Sequence, residues 1–379
     1  MKLLTEKQKF RALRLIVLRD KSSRMRKVRV KERKEIMEAR KKRHIQMLLS
    51  NGMIADSDAN RRPIILPEVL SFWDNYAETA KMLADIRKFG LEQKTPLSIR
   101  FDNLKQLDPS AALVLVAEIF RCQKLRVYRN EWFITGNYSS NRDIDFQLSQ
   151  MGFYNLLHIH DNLKGSKPTN EAMPVYLKFI TQRRIIGQLI SAFVGVVEDE
   201  VIKFDATARE MLIGAMMEAI GNADEHAYKL PTKYQSMKHR WYLSARINIA
   251  QREIMVMVYD QGVGIPDTLK PSDWKRTLSA LVRTFKLKGP SPSDGEIIKL
   301  ATEMGRTGTG EKGRGQGFLD MKRFVDKCDD GELRVLSKRG RYTYMKDNED
   351  FDDQDVACGG TVVEWRFKSN DPLIFGDIK

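Results

Sequence analysis

From residue 64 onward, apolar and polar positions fall into blocks whose period changes several times. Leu97, Ile99 and Phe101 alternate with Ser98 and Arg100, the two-residue period of a half-buried strand. A helix is predicted next, over Pro109 to Cys122. Its Leu113, Val114, Val116, Ala117 and Phe120 cover most of its surface, so it should be buried. Trp132 to Thr135 predicts another strand, and Asp143 to Phe153 a helix ended by Gly152. In the second half, Ala208, Met211, Leu212, Ala215, Met216, Ala219 and Ile220 recur at three and four residue spacings behind a Thr207-x-x-Glu210 capping pattern. Leu243, Ala245, Ile247 and Ile249 alternate with polar residues, and Ile254 to Tyr259 is a nearly continuous apolar strand. A last strand is predicted over Val362 to Phe367.

Two polar breaks divide this pattern. Asn51 to Pro63 ends an N-terminal segment, and Asp161 to Pro174, with Gly165, Pro168 and Pro174, reads as a linker. The expected organisation is a helical arm over residues 1–60, an α/β domain over 61–165 and a second α/β domain over 166–379, which 379 residues can support. With 42% hydrophobic and 30% charged residues, the composition is globular rather than disordered. Charge changes the picture only at one end. Residues 1–43 hold 18 Lys or Arg against 5 acids, and the rest of the chain is close to neutral. A basic arm of this kind suits a nucleic-acid phosphate backbone or an acidic partner, and equally a solvated helix face. No apolar run is long enough to cross a membrane, and no secretory leader is visible, so the cytoplasm is the expected compartment. Cys122, Cys328 and Cys358 are widely spaced, which predicts neither a disulfide framework nor a zinc site.

Four short segments of the second domain carry candidate chemistry. On the predicted helix, Glu218, Asn222 and His226 are four apart and share a stripe; a carboxylate there can accept a proton and an amide oxygen can ligate Mg²⁺. The buried strand ends in Asp260-Gln-Gly262-Val-Gly264, a fixed acceptor followed by glycines that permit a sharp turn and close approach to a ligand. Gly313, Gly315 and Gly317 lead into a helical pattern at Phe318, Met321 and Val325, so their amides can face a phosphate. This run is neither a Walker loop nor a dinucleotide fingerprint. The fourth segment, Gly359-Gly360-Thr361, enters the terminal strand.

In this order, over Asp205 to Phe367, the set resembles the Bergerat-fold ATPases, which include histidine kinases and gyrase-type topoisomerases. The resemblance implies ATP and Mg²⁺ as ligands, Glu218 as catalytic base, Asn222 as the Mg²⁺ ligand and Asp260 as the adenine acceptor. It also implies that Gly262 and Gly264 shape the adenine pocket, that Gly313, Gly315 and Gly317 cradle phosphates, and that Thr361 lies near the adenine. Pro266 to Lys312 would be a lid, with Lys270, Lys275, Arg276, Arg283, Lys286 and Lys288 as candidates to reach a phosphate. Only a dozen residues follow the last segment, so a gyrase-type clamp with a transducer domain is not expected. The wording around Glu218 is closest to the anti-sigma-factor serine kinases. Residues 61–165 are similar to a STAS domain, with Ser110 at the position of that family's phosphorylated serine; Asp108 as cap and Pro109 at the first helical position explain the same residues as a helix start. The implied architecture is a STAS-like α/β domain followed by a Bergerat-type two-layer α/β sandwich. The implied activities are ATP hydrolysis coupled to a regulatory protein partner, serine/threonine phosphoryl transfer, or nucleotide-gated nucleic-acid binding without turnover, as in a stress or phage-defence sensor; a homodimer is among the expected assemblies.

Overall fold

Ile64 and Ile65 end the polar break and fall in the first strand, β1 (Arg62–Ile65), of a mixed α/β structure. The computed structural model describes residues 61–126, 132–163, 173–200, 204–228, 237–268, 292–303 and 317–368. Residues 1–60, a separate unit that includes the basic arm, and the linker residues 164–172 lie outside them. After β1 come β2 (Val69–Leu70), α1 (Tyr76–Asp85) running on as a π-helical segment (Ile86–Glu92), β3 (Leu97–Arg100), β4 (Gln106–Leu107) and α2 (Pro109–Leu125). β5 (Ile134–Gly136), α3 (Arg142–Met151) and α4 (Phe153–Leu157) complete this segment. β3 lies between β1 and β5, all parallel, and the helices serve as the crossovers that parallel strands require.

α2 forms for reasons visible in its first turn. The Asp108 carboxylate accepts from the Ala111 amide at 3.0 Å, and Pro109 needs no amide partner. Ala111 to Ala117 are all buried, as an apolar surface on every side requires. The helix predicted over Asp143 to Phe153 stops at Met151. Gly152, at φ +90°, breaks it, and the chain restarts at once as α4.

The rest of the chain adds β6 (Val175–Tyr176), β7 (Ile180–Gln182), α5 (Gly187–Glu200), α6 (Ala206–Glu225), β8 (Trp241–Asn248), β9 (Glu253–Asp260) and α7 (Ile265–Thr268). Then follow α8 (Asp294–Glu303), α9 (Gly317–Asp326), β10 (Asp330–Ser337), β11 (Gly340–Met345), β12 (Asn348–Asp353) and β13 (Thr361–Lys368). They build an eight-stranded sheet in the order β12-β11-β10-β13-β9-β8-β6, with β7 also on β8. The β8, β9, β10 and β13 pairings are antiparallel.

Period-two alternation sends successive side chains to opposite faces of this sheet. Ile254, Val256 and Val258 pack with Trp241, Leu243, Val363 and Trp365 beneath α5, α6 and α9. Met255, Met257 and Tyr259 point the other way, into a core shared with α1 and α2. The positions between the apolar residues of 243–249 are enclosed as well: Tyr242 and Ser244 are fully buried, because residues 61–157 cover that face. Residues 61–379 thus form one compact unit. Cys122, Cys328 and Cys358 are free thiols buried in it, and burial pushes each up to about 12.

Candidate functional site

The site is built around α6, whose start differs from the sequence expectation. Its cap is Asp205 rather than Thr207: the carboxylate accepts from the Thr207 amide at 2.6 Å and from the Ala208 amide at 3.0 Å. A charged acceptor one residue before the helix satisfies two orphan amides, so the Thr207-x-x-Glu210 pattern is left within the helix. The buried face of α6, from Ala208 to Ala223, fixes its rotation on the sheet. Glu218 is consequently exposed and Asn222, one turn on, half-buried. The helix stops at Glu225, and His226 is its C-cap.

Glu218 meets the start of α9. A Cβ on Gly317 would lie 2.6 Å from its Oε2, so only glycine lets the two come this close. Partial burial, then the negative charges of Asp320 and Glu225, raise the Glu218 carboxyl above its ordinary range. A carboxylate beside a helix N-terminus and adjusted upward is equipped to accept a proton near an anion. Gly313 and Gly315 lie outside the described residues, as do Lys270, Lys275, Arg276, Arg283, Lys286 and Lys288, the cations expected of a lid.

The turn after β9 abuts the other end of the same stripe. A Cβ on Gly262 would overlap the Ala227 carbonyl, and the Val263 amide donates to that oxygen at 2.9 Å. The Ala227 amide in turn donates to the carbonyl of Asn222 at 3.2 Å, so one chain of contacts joins Asn222 to the turn. Asp260 is 7% exposed, and its Oδ1 accepts from the Gly262 amide at 2.7 Å. Burial pushes this carboxyl up to about 7, with the Gly262 amide opposing. Near the other glycine of the turn, the Ile265 amide donates to Ser337 Oγ at 2.9 Å, and Gly264 packs against Ser337 and Lys338.

The fourth segment closes the group. Thr361 is the register partner of Asp260 on the helix-side face, and its Oγ1 lies 2.9 Å from Ser337 Oγ. Gly360, at φ +116°, passes over the Asp260 carbonyl so closely that any Cβ would overlap it. Asp260, Gly262, Gly264 and Thr361 are therefore linked through a small set of neighbours to the backbone of Asn222, and Glu218, one turn earlier on α6, packs against Gly317. No protein-family model matches the chain, and neither does any curated protein sequence.

Ser110 is not part of this group. It sits on the opposite face, 1% exposed, with its hydroxyl on the Glu364 carboxylate. In this arrangement its oxygen is shielded from solvent, and a phosphate there would face an acid. Burial and the nearby Asp108 raise the Glu364 carboxyl. Sequence reasoning missed three neighbours. Tyr228 accepts from the Gln261 amide at 3.1 Å and donates to the Arg240 carbonyl at 2.8 Å, holding the turn from below. Ser337 at the end of β10 carried no local signal. Asp320 did carry one, three residues into the helix that follows Gly317.

Proposed function

We propose that the chain binds Mg-ATP in the manner of the Bergerat-type ATPases and hydrolyses it, with residues 61–157 as a STAS-like regulatory layer. The observation that carries the reading is that two distant segments, the turn after β9 and the start of α9, meet the C-terminal end of α6, while a third, Gly360–Thr361, packs on Asp260. Asp260 would accept from the exocyclic amine of adenine, and Thr361 stands beside it on the next strand. The α9 N-terminus would receive phosphate oxygens, and Glu218 beside it would take the proton of a water attacking the γ-phosphorus, releasing ADP and phosphate.

A metal ion fits this donor set in one mode. Among the described residues no cluster of three or more His, Cys, Asp or Glu is placed to hold an ion alone. Asn222 offers one hard amide oxygen one helical turn from Glu218, which suits an Mg²⁺ held mainly by phosphate oxygens. When bound, that ion would neutralise charge on the triphosphate. Hydrolysis is preferred to phosphorylation of the chain's own Ser110 because that hydroxyl is buried against Glu364. A serine/threonine kinase acting on a regulatory partner and a nucleotide-gated nucleic-acid binder are the other outcomes of the same assay.

The test is incubation with γ-labelled ATP and Mg²⁺, followed through free phosphate and protein-bound label. Free phosphate is expected, falling about 100-fold or more in Glu218→Ala while ATP still binds. Label on protein would make the chain a kinase. No turnover and no ATP binding would end the proposal.

A further inference from the structure

The turn that carries Thr361 is gripped from the side away from the proposed nucleotide. Arg87 projects from the π-helical segment after α1. Its Nε donates to Glu118 Oε1 at 3.1 Å, and a terminal nitrogen donates to the Cys358 carbonyl. Its guanidinium carbon occupies the place of a side chain on Gly359, where a Cβ would lie 2.6 Å away. On the far side of the same two residues, Gly360 rests on the Asp260 carbonyl. The Gly359–Gly360 backbone is therefore a spacer between Arg87 and Asp260. Tyr259 donates its hydroxyl proton to the Gly359 carbonyl, and Tyr76 on α1 donates to the Val356 carbonyl at 2.7 Å.

Glu118 is fully buried on α2 and is shared by Arg87 and Arg121. Buried ion pairs of this kind add little net stability against an apolar packing of the same volume, but they fix geometry. What they fix here is the position of the 356–361 segment. We infer that Arg87 is a positioning residue for the adenine end of the nucleotide site, acting through the Gly359–Thr361 turn, so that the layer formed by residues 61–157 and the nucleotide are energetically coupled. The inference rests on the nucleotide reading above.

The coupling is geometric rather than electrostatic, since Arg87 reaches the backbone of the turn and makes no ion pair with Asp260. A charge alone at position 87 will not reproduce it. Lysine offers a compact point charge where the structure uses a planar fork spanning Glu118 and Cys358.

Titration calorimetry of the full chain with Mg-ATP and Mg-GTP tests this, with melting temperatures measured alongside. Arg87→Ala is expected to weaken ATP binding about tenfold and to shrink the ATP-over-GTP preference by a similar factor. Millimolar guanidinium chloride should restore part of both. Arg87→Lys should resemble Arg87→Ala, and Tyr76→Phe, which removes a single hydroxyl, should shift ATP affinity in the same direction. If Arg87→Ala does not fold, Arg87→Lys and Tyr76→Phe carry the test. Folded variants that bind ATP within about twofold of wild type, with the purine preference unchanged, overturn the inference while leaving the nucleotide reading intact. A wild-type chain that gives no heat with ATP overturns both.

Discussion

The two faces of the eight-stranded sheet are both buried, but by different chemistry. On the helix side, Ile254, Val256, Val258, Leu243 and Trp365 form an apolar surface; Asp260, Ser337 and Thr361 lie at strand ends, and Lys322 meets Glu303 and Glu349 toward the β12 edge. On the other side, Met255, Met257 and Tyr259 share space with Glu364 and Ser244, faced by Ser110, Glu118 and Arg87. An apolar face tolerates a lost group at the cost of a cavity. A face holding charges requires every one of them to keep its partner. The candidate site lies at strand ends of the first face, while the second has few small adjustments open to it.

The largest expected effect breaks the second face. Glu118→Ala strands Arg87 and Arg121 without their shared carboxylate, and a loss of about 3–5 kcal/mol is expected in urea or thermal unfolding. A loss below about 1 kcal/mol would show that the charges are dispensable and that the two faces are held alike.

The rim of the first face gives a smaller effect, which depends on pH. The Asp260 carboxyl titrates near 7 in the folded chain against an ordinary value of 3.8. The folded state thus binds the proton more tightly. The stability this contributes is fully present below about pH 4 and is lost as pH rises through about 7. Asp260→Asn, which cannot ionise, should gain on the order of 1–3 kcal/mol over wild type at pH 8 and nothing at pH 4, measured by thermal unfolding in matched buffers. The same variant should lose ATP binding, because the amide presents a donor as readily as an acceptor. Equal stability at both pH values would remove the case that the Asp260 carboxyl is held away from water.

The smallest effect sharpens the assignment of the helix that carries Glu218. Asp205→Ala should cost about 1 kcal/mol, and Thr207→Ala no more than a few tenths. A reversed order would return the cap to the residue the sequence pattern suggested.

Local patterns gave away most of the helix-side face. Residues 208–220 repeat at helical spacing, residues 254–259 form an apolar run, and the Asp260 turn follows that run directly, so each could be read within a window of about a dozen residues. The β10–β11–β12 meander escaped notice because its strands are charged and half-exposed, as in Asn348–Asp353. The second face was not legible, since only a distant part of the chain covers the polar positions of β8. Arg87 was invisible for the same reason: its partner carbonyl at Cys358 is 271 residues away, and no spacing rule connects them.

The three buried cysteines turn this division into something that can be watched. Alkylating reagents require a thiolate, and thiols near 12 in a closed interior supply almost none. Cys328 lies in the helix-side core, Cys122 on α2, and Cys358 at the carbonyl that Arg87 holds. The rate at which each becomes labelled therefore clocks the breathing of a different part of the molecule, with no foreign probe introduced.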